Sequence, residues 1–491
     1  MRLSRVAALT AVATLAGGGA AYATGGARIP DVQEDDQYFM AGEQALDEAQ
    51  DLHANNRRAK NVILFVGDGM GISTMTASRI LEGQLAGESG EENELSFEEL
   101  PYLALSKTYS ANQQVPDSAP TATAMVTGVK TNDGVIGLGP DTVNGDCASS
   151  KGQELESFFM LAESRGKATG AVSTARITHA TPAAVYARTP DRDWEDDSLL
   201  TDEAKANGCT DVASQLVDWP YGDGLEVALG GGRQHFLPKE QADPEDQGHT
   251  GSRADGRDLT EEWASRDGAA FVWNQEQFDA VNTDEIHHLL GLFERSHMEY
   301  EHDRPKDTAG EPSLAEMTTT AIDVLDNEKK GFALMVEGGR IDHAHHAGNA
   351  YRALTETIEL SDAVRAALEV VDLRETLIVV TADHGHVFTI AGYPERGNPI
   401  LGLGGVAADG LPYTTLGYAN GPGSATARQG LTEEQAMDPD FLQPSLVPLG
   451  SETHSGEDVA ILAAGPSAHL FHGIQEQSYI FQVVKHALGG R

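Results

Sequence analysis

The stretch NVILFVGDGMG, Asn61 to Gly71, decides the fold. Val62 to Val66 is an unbroken apolar run, a Gly-rich turn follows, and a helical pattern continues to about Leu81. An apolar run without alternation, bounded by a turn, reads as a buried strand leading into a helix. The same succession recurs. ATGAVSTARITHATP, from Ala168, has a short strand ending near Ser173, and GLEVALGGG, from Gly224, has another. GFALMVEGGRIDHAHH, from Gly331, places Ala333 to Val336 before an acid and a helix. TLIVVTADHGH, from Thr376, places Leu377 to Val380 before Ala382-Asp383-His384. Strands alternating with helices predict an α/β fold with a mainly parallel sheet. Asp31 to Lys60 is polar and acidic, with a helical stretch around Gln44 to Leu52, and reads as an arm. Gly392 to Pro448 is rich in Gly, Pro and polar residues and reads as an insertion, after which the core returns at Glu452.

The chain of 491 residues exceeds one small core, so one large domain with insertions, or two or three domains, would fit. With 34 basic against 76 acidic residues the net charge is -42, which argues against nucleic acid or an anionic membrane as partner. Such a surface suits high salt, where carboxylate repulsion is screened; the plainer account is a solvated acidic exterior. Arg2 and Arg5, the apolar run Val6 to Leu15 and the small-x-small Ala21-Tyr22-Ala23 together read as a cleaved export signal. That run is too short to span a bilayer, no later segment is long and apolar enough, and the HALGGR terminus lacks a lipid-anchor tail. Export implies an oxidising compartment, where Cys147 and Cys209 predict one disulfide; the alternative is two free buried thiols.

Ligands of open α/β sheets bind beyond the carboxyl ends of the strands. Asp68 follows the first strand, Glu337, Asp342 and His346 a later one, Asp383 and His384 the next, and His179 and Thr181 follow STAR. His454 precedes the apolar run Val459 to Leu462. Singly, an Asp at a strand end is a turn residue and a His is solvated; the collection is harder to dismiss. Asp342 and His346, four apart, share a helix face. Adjacent Asp383 and His384 can diverge to two ions. Asp, Glu and His together suit zinc, and oxygen-only positions suit magnesium. His343, His345 and His346 cannot all be ligands, so some orient others.

These groups bear on VPDSAPTATAMVTG, Val115 to Gly128, where Ser118 follows Asp117 at the start of a helical run. A serine hydroxyl needs activation. Two zinc ions roughly 4 Å apart clamp an in-line displacement at phosphorus, one lowering the serine pKa and the other stabilising the leaving oxygen. The helix start offers N–H groups to an anion, and Pro120 is tolerated in the first turn. Arg192, in TPDRDWEDD, is a candidate for a bidentate phosphate contact, although spacing alone reads it as a surface ion-pair residue.

The motifs VGDGMG, PDSAPTATA, THATPAAVYARTPDRDW, VEGGRIDHAHH, TADHGHVF and ETHSGEDVAI, in that order, resemble alkaline phosphatase. His179, His343 and the RIDHAHH and DRDW stretches bring the chain closer to the animal than to the enteric bacterial type. The resemblance runs from about Ile29 to about Ala487. It implies a three-layer α/β/α sandwich with a mainly parallel central sheet, a small crown-like insertion and an N-terminal arm. The boundaries expected are a signal peptide 1–23, an arm 24–60, a catalytic core 61–391, the insertion 392–451 and the core again 452–491. The activity implied is metal-dependent hydrolysis of many phosphate monoesters through a phosphoseryl intermediate on Ser118. The enzyme would be periplasmic or secreted, and a homodimer with the crown at its interface and the arm reaching to the partner.

By the same resemblance two zinc ions and one magnesium ion bind each chain. Asp342, His346 and His454 hold the first zinc; Asp68, Asp383 and His384 hold the second, with Ser118 facing it. Asp68 bridges to magnesium, whose other ligands are Thr181 and Glu337, and His179 joins that set through a water. Asp117 and His343 stand behind the ligands, Arg192 holds phosphate, and Cys147 and Cys209 match a disulfide pair. Glu245, the Phe293 carbonyl, Glu294 and Glu311, within 236–312, match a calcium region, with Glu311 where the family usually has Asp. The alternative there is an ordinary acidic loop. Pro120 replaces the usual small residue, with no change of mechanism expected. A phosphodiesterase or sulfatase of the same superfamily is the alternative activity. Those enzymes usually present Thr or a modified Cys and lack the magnesium set, so Ser118, Thr181, Glu337 and Arg192 argue against it. A retired, non-catalytic scaffold is opposed by the complete ligand set. The acidic composition suggests a salt-tolerant, halophilic or marine enzyme.

Overall fold

The computed structural model describes residues 29–425 and 427–490, and the expected signal peptide lies outside them. By its contacts the chain divides into two units, one ending at His53 and the other beginning at Ala54. The first contains the helix Gln37–Gln50, in which no residue is buried. It begins earlier than the sequence around Gln44 suggests because the Asp36 carboxylate caps it, accepting from Tyr38 N and Phe39 N.

The second unit is built on a ten-stranded sheet. Its strands are β1 Asn61–Gly67, β2 Tyr102–Lys107, β3 Ala168–Arg176, β4 Val227–Gly231, β5 Ala269–Val272, β6 His288–Leu292, β7 Phe332–Gly338, β8 Thr376–Ala382, β9 Val459–Ala464 and β10 Gly473–Glu476. They stand in the order β10-β2-β9-β8-β1-β7-β3-β4-β6-β5. Every neighbouring pair is parallel except those of β9, which runs against both β2 and β8.

Residues along a strand point alternately to the two faces, and the central strands divide accordingly. Val62, Leu64 and Val66 of β1 enter one core with Ala333 and Met335 of β7 and Leu377 and Val379 of β8. Ile63 and Phe65 enter the other with Leu334, Val336, Ile378 and Val380. The first core is closed by α2 Ser118–Thr127, α3 Ala180–Tyr186 and α7 Tyr479–Ala487; the second by α1 Ile72–Leu85, α4 Leu314–Leu325 and α6 Ala350–Val370. α5 Arg340–His346 follows β7 directly. Helices on both faces make three layers, and each aliphatic side chain so buried contributes about 1.5–3 kcal/mol. That is why these strands read as continuous apolar runs.

Residues 388–448 form small sheets apart from the main one. Phe388–Ile390, Leu416–Gly421 and Ser445–Pro448 make one, and Leu403–Val406 with Pro412–Thr414 another. The departure begins a few residues before Gly392, because Phe388 already pairs with Tyr418. Cys147 and Cys209 are joined in a disulfide. Among the described residues no helix is long and apolar enough to cross a membrane.

Register positions the site. Val66 of β1 lies opposite Glu337 of β7, Glu337 opposite Ser173 of β3, and Gly67 opposite Ala382 of β8. The parallel strands therefore stop at one level, and Asp68, Glu337 and Asp383 emerge side by side.

Candidate metal centre and nucleophile

Ser118 is the first residue of α2 and is 2% exposed. Asp117 caps that helix: its carboxylate accepts from Ala119 N at 2.7 Å and from Gly134 N at 2.7 Å. Pro120 in the first turn costs no intrahelical bond. The Ser118 hydroxyl lies 3.5 Å from both Asp68 oxygens and 3.3 Å from His384 Nε2. His384 Nε2 is in turn 3.2 Å from Asp383 Oδ2. The other Asp383 oxygen accepts from Gly69 N at 3.0 Å and His384 N at 2.8 Å. Gly69 has φ +71°, and an added Cβ there would fall on the His386 ring, so the turn after β1 requires glycine.

A second group gathers on α5 and the segment before β9. Asp342 and His346 share a face of α5, with His346 Nε2 3.4 Å from Asp342 Oδ1. His454 Nε2 is 3.2 Å from the same oxygen and 3.1 Å from His346 Nε2. His346 Nδ1 donates to the Glu452 carbonyl at 2.6 Å and His454 Nδ1 to the Pro116 carbonyl at 2.7 Å. Those bonds fix both rings with their Nε2 atoms turned toward Asp342 Oδ1. A third group is Asp68, His179 and Glu337. Thr181, at the start of α3, is buried beside Glu337. Ser173 donates to the other Glu337 oxygen.

The electrostatics identify what these groups lack. Burial, then Asp383, Asp342 and Glu337, push Asp68 well above the carboxylate range. Burial raises Asp383 and takes Glu337 to about 7. Burial also drives His384 and His179 well below the ordinary histidine range. Asp342 goes the other way: burial opposes its ionisation, but hydrogen bonds from His386 and His454 hold it well below the usual range. Thr181 Oγ1, Glu337 Oε1, His179 Nδ1 and His384 Nδ1 are buried without a hydrogen-bond partner. Crowded carboxylates, neutral imidazoles and orphaned polar atoms fit divalent cations, because cations offset the repulsion and take up free lone pairs.

Arg192 lies on the rim of this arrangement. Its guanidinium is 3.5 Å from Asp117 and its Nη2 donates to His179 Nε2 at 2.9 Å. His343 is half-buried, with its ring 5.5 Å from that of His179, and burial lowers its pKa to about 3. His345 points away: it hydrogen-bonds Thr74 at 3.0 Å and Tyr418 at 2.8 Å and belongs to the packing.

Three residues enter the site that the sequence reading did not select. His386 Nε2 donates to Asp342 Oδ1 at 2.9 Å and its Nδ1 to Glu452 Oε2 at 2.5 Å. Burial opposes its charge, but those two carboxylates raise His386 to about 9. The His297 ring lies tilted 4.1 Å from that of His343 and edge-on 5.6 Å from that of His179. A signal for His386 existed: in an extended segment, residue 386 projects to the same side as His384. Glu452 and His297 meet the site only through space.

The four calcium candidates come together elsewhere. Arg233 donates to Glu245 at 2.8 Å and to the Phe293 carbonyl at 3.0 Å. Burial, then Glu245 and Asp307, raise Glu294 to about 8. Burial, then Glu294, raise Glu311 to about 9. Glu311 Oε1 accepts from Glu299 N at 2.9 Å, while its Oε2, like Asp307 Oδ2, is buried without a partner.

The alkaline phosphatase family model matches residues 59–489. The tissue-nonspecific alkaline phosphatase of Gallus gallus is 45% identical over 473 residues, covering 94% of this chain and 90% of its own. The Homo sapiens counterpart is 43% identical with the same coverages. The alkaline phosphatase of Gadus morhua is 43% identical, covering 91% of this chain and 95% of its own. Among solved structures, Thermus thermophilus alkaline phosphatase superposes with a TM-score of 0.64 at 25% identity, covering 95% of this chain and 96% of its own.

Proposed function

The chain belongs to the alkaline phosphatase family and is a phosphate-monoester hydrolase, and from that premise we propose a phosphoseryl mechanism on Ser118 with two zinc ions and one magnesium ion per chain. The observation behind it is the buried Ser118 hydroxyl within 3.5 Å of Asp68 and 3.3 Å of His384, at the start of a helix. Asp342, His346 and His454 would hold one zinc, Asp68, Asp383 and His384 the other, and Asp68, Thr181 and Glu337 the magnesium, with His179 beside it. Metal bound there supplies positive charge that lowers the pKa of an adjacent hydroxyl and stabilises a leaving oxygen.

The chain's own residues do the rest. Arg192 grips two phosphate oxygens with its fork, held in orientation by Asp117 and His179. At the start of α2, Ala119 N is held by Asp117 and Pro120 has no N–H, so the Ser118 N–H is the one offered to the same anion. Ser118 Oγ, its proton released to solvent at alkaline pH, attacks phosphorus in line; the new O–P bond forms as the bond to the leaving alkoxide breaks, and the alkoxide takes a proton from water. Water then attacks the phosphoseryl ester from the vacated side and releases inorganic phosphate, returning the serine. His386 and Glu452 fix Asp342, and the apolar core beneath the strand ends keeps the carboxylates from swinging away.

Export by the N-terminal signal to the periplasm or exterior, dimerisation through the 392–451 crown with the arm on the partner, and calcium at Glu245, Phe293, Glu294 and Glu311 complete the proposal. Hydrolysis of a chromogenic phosphate monoester at alkaline pH, with zinc and magnesium quantified, tests it. Ser118→Ala should lose on the order of 10³-fold or more in kcat at unchanged folding. Activity surviving that change would mean another nucleophile. The net charge of -42 also supports salt tolerance. The midpoint of thermal unfolding should rise between low and molar NaCl, and a flat or falling midpoint would refute that part.

A further inference from the structure

Arg192 belongs to no helix or strand, yet a bidentate grip requires its guanidinium plane to be fixed. Residues 187–200, between α3 and the helix Asp202–Asn207, are fastened on both sides of it. Upstream, Thr189 and Ile136 exchange two backbone hydrogen bonds, and the Pro190 carbonyl accepts from Gly145 N at 3.0 Å. Arg192 N donates to the Gly134 carbonyl at 2.8 Å, and Gly134 N donates to Asp117, the cap that precedes Ser118. Downstream, the Trp194 carbonyl accepts from Val212 N at 2.9 Å. Glu195 takes a bidentate contact from Arg176 at 2.8 and 2.7 Å, at the end of β3.

Between these fastenings lies a small separate core. The Trp194 indole, 3% exposed, packs with Cys147, Leu200, Ala204 and the half-buried Cys209. The disulfide passes through this cluster and joins the segment that receives the loop upstream to the segment that follows it downstream. The cluster shares no residue with the two cores on the faces of the sheet. It can loosen while the sheet and the strand-end carboxylates keep their places.

We propose that Trp194 and the Cys147–Cys209 bond are a positioning device for Arg192, holding its guanidinium in register with Ser118. The inference rests on reading Arg192 as the phosphate-holding residue. Phosphate is gripped in both substrate and product, so the device acts on KM and on inhibition by inorganic phosphate more than on kcat. Its indole acts as a spacer of fixed thickness between loop and disulfide, which a smaller side chain cannot replace.

The test uses the metal-loaded full chain and inorganic phosphate as the probe. The variants are Cys147→Ser with Cys209→Ser, Trp194→Ala, Trp194→Phe, Arg192→Ala, and Trp194→Ala combined with Arg192→Ala. KM, kcat, the phosphate inhibition constant and thermal unfolding are measured for each. Trp194→Ala and the paired cysteine variant should raise KM and the phosphate constant about tenfold or more, the scale of a small misplacement of a binding group, with kcat changed by less than about threefold. Trp194→Phe should restore most of the loss. On the Arg192→Ala background, Trp194→Ala should add less than about twofold, because the two changes act on one contact. Unchanged phosphate inhibition in Trp194→Ala, or the same increase with Arg192 already removed, would overturn the proposal. Unchanged phosphate inhibition in Arg192→Ala alone would overturn the reading of the clamp instead. If the cysteine pair prevents folding, the Trp194 series decides.

Discussion

The strand-end cluster around Ser118 and the carboxylate cluster around Glu294 and Glu311 are both close-set collections of acids, and they differ in what accompanies the acids. At the strand ends, His384, His346, His386 and His454 interleave with Asp68, Asp342 and Asp383, within 3.5 Å of one or another carboxylate. Around Glu294 and Glu311 the carboxylates are met by Arg233 on one flank and by the backbone N–H groups of Arg295 and Glu299. Nitrogen and oxygen donors held by separate backbone anchors suit zinc; oxygen alone suits a harder cation or a proton. On the proposed reading the first cluster serves chemistry and the second stability, and the two should separate under mutation.

The largest separation is expected at His386. It links Asp342 to Glu452 without being among the proposed zinc ligands, and groups of that kind set ligand orientation. His386→Ala should lower zinc content and activity together, by about 10–100-fold in affinity or rate. His386→Gln, which can still reach Asp342, should recover part of both. Full zinc and full activity in His386→Ala would reduce the residue to packing.

A smaller effect is expected at Glu311. Glu294 and Glu311, held at about 8 and about 9, keep protons in the folded chain that the unfolded chain loses at ordinary carboxylate pKa values near 4.3. The folded state then binds more protons than the unfolded state through that window. Stability accordingly falls as pH rises from the unfolded carboxylate range to about 9. Glu311→Gln should make that fall shallower and raise the unfolding midpoint at pH 9, without added calcium, by about 2 °C or more. Millimolar calcium should protect the parent more than the variant. An identical pH slope in the two proteins would contradict this account, and a large loss of monoesterase activity in Glu311→Gln would erase the distinction between the clusters.

The same contrast explains what the sequence made legible. β1, β7 and β8 are buried on both faces, so each writes a continuous apolar run, and the acid after each run marks the sheet edge where a ligand binds. Edge strands such as β10 and β5 are short and half-exposed and write no such run. The reversed direction of β9 is also invisible locally, because strand sense is set by the partners it meets. Asp342 and His346 were legible because one helical turn joins them. Glu452 reaches His386 across 66 residues and His297 reaches Arg176 across 121, and no spacing rule covers such distances. Arg192 was legible only by resemblance, since its neighbours in sequence are ordinary loop residues and its fixing comes from Gly134, Trp194 and a disulfide.

The central claim is that Ser118 takes the phosphoryl group, and the most direct measurement is to trap it there. The metal-loaded enzyme is mixed with a phosphate monoester, quenched in acid and digested, and the peptide spanning Ser118 is sequenced by mass spectrometry. A phosphoryl group on Ser118, absent from Ser118→Ala and lost on chase with water at alkaline pH at the rate of turnover, is the result predicted. Turnover with no phosphoryl group on that peptide under any quench, or with the group on another residue, would contradict the account.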